Sequence, residues 1–348
     1  MKEYHRAIFF TKIPLGGYYQ YEDVFQLFPA SMENLPKSSL QEHFPNILEY
    51  WTTDDEEIEL KSDLDEFPRI KELYDRTSMK LLKEDRILAL LSTFTNHLFF
   101  RYTTTTGSWG IPMLYDNPGD EANSWYSKWC VPLFNFPDLA QHFRIDKFSQ
   151  PSVQEAIRID HKYYYLHEPN IDSDPRKKIV FPSKIDSLFE IYFSLDPETK
   201  EFVDTACSYS VSAMKLNDEM KTLSLIASFT AVETMVNLEF KDAQIEKCDN
   251  CGQIKYSVAK KFREYLLKYI GKSDQNKKKF NTYYSLRSKI VHTGRQLKTE
   301  RLFADVSKDE KVSEYLTRME ILQLGKLAIV NWLLIKTELN KCNSDISG

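Results

Sequence analysis

In Tyr284-Ser285-Leu286-Arg287-Ser288-Lys289-Ile290-Val291-His292-Thr293-Gly294 an arginine and a histidine stand five residues apart at the end of a helical pattern. Together with Phe280 and Tyr283, its apolar residues Tyr284, Ile290 and Val291 recur at spacings of three and four, which marks one face of a helix. Gly294 supplies a helix stop. Arg287 falls inside the apolar stripe rather than opposite it. A guanidinium keeps its proton, so burying it unpaired would consume a large part of a domain's stability, and the position demands a partner. Glu233 is the natural one: it stands next to Val232 and four residues from Phe229, at the margin of an upstream helix's apolar face.

Other helical patterns surround this stretch. Asp196-Pro197-Glu198 is a helix start, an acidic cap followed by proline in the first turn, leading into Phe202, Ala206, Tyr209 and Met214. A second helix carries Met220, Leu223, Ile226, Phe229, Val232, Met235 and Val236. A third runs through Val258, Phe262, Tyr265 and Tyr269 and stops at Gly271, and a long last helix follows through Val312, Leu316, Met319, Leu327 and Leu334. Helices with short connections over residues 181–348 predict an all-α bundle. Residues 1–180 read as a mixed α/β domain: Ala7–Thr11, Tyr163–Leu166 and Ile179–Phe181 suggest strands, Met79–Tyr102 has helical spacing, and Asp116–Asn123 and Glu168–Pro175 are loop-like. The fold class predicted for the whole chain is α+β.

A chain of 348 residues, 42% hydrophobic and 28% charged, has the composition of an ordinary globular protein of about two domains. Neither an export signal nor a membrane span is expected, and five cysteines in a chain this size suit a reducing, cytoplasmic setting better than a disulfide framework. The net charge of -5 hides an asymmetry, because Lys247–Arg301 holds 15 Lys/Arg against 4 Asp/Glu, a local charge of +11. Such a window attracts polyanions or is simply a solvated helical surface.

Cleavage of RNA through its own 2′-hydroxyl requires a group that moves a proton near neutrality and a fixed cation on the phosphate. His292 and Arg287 meet that minimum, with Glu233 as the third member of the set. The bland alternatives are an Arg–Glu pin between helices and a histidine that caps a helix C-terminus. Five residues of helix put Arg287 and His292 roughly 140° apart, so they border one cleft only if the helix loosens at its end or a second copy packs there.

Arg287-x-x-x-x-His292 within Leu286–Gly294, preceded by Ala231-Val232-Glu233, resembles the HEPN superfamily, most closely its Apea-like branch, over residues 183–340. The resemblance implies a helical bundle that dimerises through its motif helices. It further implies a metal-independent endoribonuclease cleaving single-stranded or loop RNA in a defence or toxin setting and leaving 2′,3′-cyclic phosphate ends. The residue after the arginine is often Asn, Asp or His in active members and is Ser288 here. Arg287, His292 and Glu233 are then the candidate catalytic set, supported by Ser288 and Lys289, with Arg295, Lys260 and Lys261 as RNA contacts. The alternative is a non-catalytic HEPN module that binds nucleotide, RNA or a protein partner. No cofactor is expected for catalysis. Cys248-x-x-Cys251 is half of a zinc site, open to completion by a second copy or by Cys342, or else a metal-free turn.

Overall fold

The computed structural model describes residues 2–30, 43–53, 68–101, 144–167, 177–243 and 258–346. It is an α+β protein whose chain divides into two compact units. The first comprises Met1–Asp85, Phe99–Arg158 and Asp172–Phe181, and the second Arg86–Leu98, Ile159–Ile171 and Pro182–Gly348.

The first unit is built on an antiparallel sheet. Its strands are β1 (Lys2–Thr11), β2 (Tyr19–Tyr21), β3 (Phe25–Pro29), β4 (Phe44–Thr53) and β5 (Phe99–Phe100), in the order β2-β3-β4-β1-β5, and β6 (Arg144–Ile145) also pairs with β1. β1 and β4 pair along their whole length, from Lys2 opposite Thr53 to Thr11 opposite Phe44. Phe9, Phe25, Leu27, Leu48, Tyr50 and Phe99 fill the core. Helix α1 (Pro68–Thr95) belongs to this unit through Asp85, where Glu84 accepts from Tyr50 Oη at 2.6 Å. Two short strands, β7 (Arg158–Ile159) and β8 (Phe181–Pro182), form a separate ribbon.

In the second unit, α2 (His161–His167) is followed by α3 (Ile185–Ser194), α4 (Pro197–Leu216), α5 (Lys221–Glu239), α6 (Val258–Tyr269), α7 (Asp274–Thr293) and α8 (Lys308–Ile346). The helix starts and stops follow local chemistry. Asp196 caps α4 by accepting from Thr199 N at 2.9 Å, with Pro197 in the first turn. Gly294 ends α7 at φ 64°, a conformation a side chain resists, and its amide returns to Ile290 O at 2.9 Å. Helix α5 is buried almost all round, from Thr222 to Leu238, and packs along α4 and α8. The approach to α8 is close at Gly325, where a Cβ would meet Val232 Cγ2 at 3.2 Å.

Tyr163–Leu166 is helical, not the strand its aromatic and aliphatic run suggests. Asp160 Oδ1 accepts from Lys162 N and Tyr163 N and so starts α2. Tyr164 Oη then donates to Thr95 O at 2.6 Å, Tyr165 Oη donates to Phe94 O, and the segment is fixed against the end of α1. Within Met79–Tyr102, the helix ends at Thr95 and Phe99–Phe100 joins the sheet. The loop-like runs 116–123 and 168–175 lie outside the described residues.

Candidate functional site on the motif helix

The motif helix α7 is positioned by its apolar face and by two carboxylates of neighbouring helices, Glu320 and Glu233. Phe280, Tyr283 and Ile290 are buried, whereas Tyr284 is half-buried and Val291 is exposed. Glu320 on α8 accepts from Lys279 Nζ at 2.5 Å and from Tyr283 Oη, so the first half of α7 is tied to α8. Glu239, at the end of α5, accepts from Lys268 Nζ, Tyr269 Oη and Trp332 Nε1 and holds α6 and α8 together there.

Arg287 meets Glu233 in the same layer. Its Nη2 donates to Glu233 Oε2 at 2.8 Å, with the two side chains 22% and 18% exposed. The pair is single-pronged: Glu233 Oε1 is buried without a hydrogen-bond partner among the described residues. A guanidinium can donate five hydrogen bonds, so this geometry orients Arg287 without using up its capacity for an anion. Its Cζ also lies 6.0 Å from the Tyr284 ring, which in turn packs on Phe262 of α6 at 5.4 Å between centroids.

His292 is exposed in the last turn of α7. The helix stays regular through Thr293, so the loosening that would swing His292 onto the face of Arg287 does not occur in the single chain. The two residues sit about 7.5 Å apart along the axis and roughly 140° apart around it. Ser288 is half-buried and Lys289 exposed, while Thr293 Oγ1 donates to Lys289 O at 2.6 Å.

No family model, curated protein or solved structure matches this chain.

The basic window is only partly open to an anion. Lys268, Lys279 and Lys298 are taken up by Glu239, Glu320 and Glu310. Lys272, Lys277, Lys278, Lys289, Arg295 and Arg301 are exposed around α7 and its flanks. Lys260 is exposed at the start of α6, and Lys261 is half-buried with Nζ 5.6 Å from the Phe240 ring. Of the tyrosines in the window, Tyr265, Tyr269 and Tyr283 are core residues, so they offer no stacking platform.

Cys248 and Cys251 lie outside the described residues. Among those described, no group of three or more His, Cys, Asp or Glu side chains is placed to hold a metal ion. No helix among them is long and apolar enough to cross a membrane.

Two polar features escaped the sequence. In the first unit Glu49, with its side chain sealed from solvent, accepts from Arg6 Nε and Nη2, Gln26 Nε2, Ser149 N and Ser149 Oγ. This network backs an open cleft lined by Tyr18, Gln20, Gln26, Lys147 and Ser149. It joins residues up to 143 positions apart in sequence (Arg6 to Ser149), and no local pattern announces it. In the second unit Lys326 is 1% exposed, and its Nζ faces Met214 Sδ at 3.3 Å. Burial lowers its pKa to about 7. An apolar helix position occupied by lysine was the available signal.

Proposed function

We propose that the helical unit is a HEPN-type, Apea-like, metal-independent endoribonuclease that acts as a homodimer on single-stranded or loop RNA. The observation that carries this reading is the half-open Arg287, fixed by Glu233 through one hydrogen bond, with an exposed His292 a turn and a half further along the same basic helix. Arg287 holds the scissile phosphate through its remaining N–H donors and stabilises the charge that grows on phosphorus. His292 takes the proton of the 2′-hydroxyl, whose oxygen attacks phosphorus. The P–O5′ bond breaks, the 5′-oxygen takes up a proton from water or from the protonated His292, and a 2′,3′-cyclic phosphate remains. Because α7 is straight through both residues, the reading uses Arg287 of one copy and His292 of the other across a two-fold axis.

Lys289, Arg295, Lys260 and Lys261 contribute phosphate affinity, and Ser288 supports Arg287. A cytoplasmic location and a sensing role for the sheet-based unit belong to the same proposal. The test is cleavage of mixed cellular RNA in EDTA. Wild type is expected to leave cyclic-phosphate ends, and His292→Ala is expected to leave the RNA intact.

The Arg287–Glu233 ion pair also favours a second reading, in which the pair is a helix pin and the unit binds nucleotide, RNA or protein without cutting. Equal RNA binding by wild type and His292→Ala, with cleavage by neither, would select it.

A further inference from the structure

Beyond the motif helix the chain builds a pinned loop with an aromatic tip. Leu297 N donates to Thr222 Oγ1 at 2.9 Å, and Glu300 Oε2 accepts from Thr222 N at 2.7 Å and from Thr222 Oγ1. Met220, at the N-cap of α5, makes no side-chain cap, so Glu300 does that work from outside the helix. Glu314 on α8 accepts from Lys298 N at 2.9 Å and from Thr299 Oγ1, and Arg301 Nε donates to Gln296 O at 2.9 Å. Above this base, Ala304 N closes a four-residue turn onto Arg301 O at 3.4 Å, with Leu302 and Phe303 at its tip.

Phe303 has φ 60° and a relative exposure of 103%, and Leu302 is 86% exposed. A positive φ at that turn position is the place for glycine or asparagine, and a bulky aromatic there is strained. Nothing within the described chain repays it, since the ring touches solvent. Strained backbone conformations of this kind cluster at ligand clamps and switch regions, and here the strained residue stands on a hydrogen-bonded base.

The tip also lies at the right end of the motif helix. α7 runs antiparallel to α5: Arg287 meets Glu233, and ten residues later Leu297 meets Thr222. The loop base is therefore roughly 16 Å along α5 from the Arg287–Glu233 pair, on the side of His292. Arg295 and Arg301, both exposed, flank it, with Asp305 the one acidic neighbour between Arg301 and Lys308.

We infer that Phe303 is a base-stacking finger: it takes an unpaired RNA base on its face while Arg301 and Arg295 hold the adjoining phosphates, so that the strand runs on to the motif. An aromatic face beside cations is the chemistry that binds single strands without reading sequence. This assignment rests on the ribonuclease reading and extends it to the choice of single-stranded substrate.

The test is fluorescence anisotropy in EDTA with a labelled 12-nucleotide 2′-O-methyl oligouridylate, which binds but cannot be cut, and its abasic counterpart. Full-length wild type, Phe303→Ala, Phe303→Trp, Phe303→Gly and Arg287→Ala are compared, with light scattering to follow their mass. Phe303→Ala and Phe303→Gly are expected to weaken binding by roughly 5- to 100-fold, Phe303→Trp to preserve it, and the abasic oligomer to bind wild type as weakly as Phe303→Ala does. Phe303→Gly should melt at or above the wild-type temperature, which separates lost binding from lost folding.

Binding by Phe303→Ala within twofold of wild type, while Arg287→Ala is weak, overturns the finger and leaves the ribonuclease reading in place. A change of oligomeric mass in Phe303→Ala overturns it in favour of a protein contact. Absence of binding by wild type removes both.

Discussion

Glu233 and Arg287 sit between core and solvent, at 18% and 22% side-chain exposure. Glu233→Ala leaves a half-buried guanidinium unpaired and is expected to lower unfolding stability by about 1–3 kcal/mol, read from urea titration. His292→Ala touches an exposed side chain, so its stability should stay within about 0.5 kcal/mol of wild type while cleavage falls by roughly 10²–10⁴-fold. Lys326 gives the opposite kind of signal. In the unfolded chain it titrates near 10.5, whereas burial against Met214 lowers it to about 7. Between those values the unfolded state holds more protons, so stability rises with pH from about 7 to 10 and the full penalty persists below 7. Lys326→Met is expected to raise stability by about 2–5 kcal/mol at pH 7 and to flatten this slope, followed by denaturant unfolding at pH 7 and pH 10.

The helices were legible where a period and a terminus agreed. Asp196-Pro197, Gly271 and Gly294 punctuate runs with threefold and fourfold spacing, and the structure begins or ends helices at them. Glu233 could be matched to Arg287 because each stands at the margin of an apolar stripe, and such positions find partners across helix pairs. Tyr163–Leu166 misled because four apolar residues carry no period; the capping Asp160 was the better signal. The Glu49 network was illegible because strand pairing, not local sequence, gathers Arg6, Gln26 and Ser149 around it. Phe303 is an isolated aromatic in a polar loop and shows no pattern in the sequence; its positive φ appears only in the folded chain. At this scale Gly294→Ala is the sharp test. Nothing lies within 4 Å of the added methyl, so the cost is backbone strain alone, about 1 kcal/mol. Fraying of the last turn should reduce cleavage more than it reduces helix content measured by circular dichroism.

In the second unit, Arg86–Leu98 is an integral part of the helical core even though it belongs to the N-terminal half of the sequence. Phe94 packs edge-on against Phe189 at 5.2 Å, Arg86 pairs with Asp204 at 2.9 Å, and Thr95 O holds Tyr164. A chain truncated to residues 182–348 is therefore expected to aggregate or to melt well below the full-length protein, because it exposes Phe189, Tyr192 and Cys207. The straight course of α7 bears on the whole assembly as well, because it makes the proposed site the joint property of two copies. The most direct measurement is RNA cleavage in EDTA by a one-to-one mixture of Arg287→Ala and His292→Ala, dissociated and reassociated before assay. Wild type should cut and each variant alone should be silent. The mixture should recover roughly a quarter of wild-type activity, because half of the dimers are mixed and each of those holds one intact site. A silent mixture beside an active wild type would contradict the two-copy site, and an inactive wild type, or variants that cut as well as it does, would contradict the ribonuclease itself.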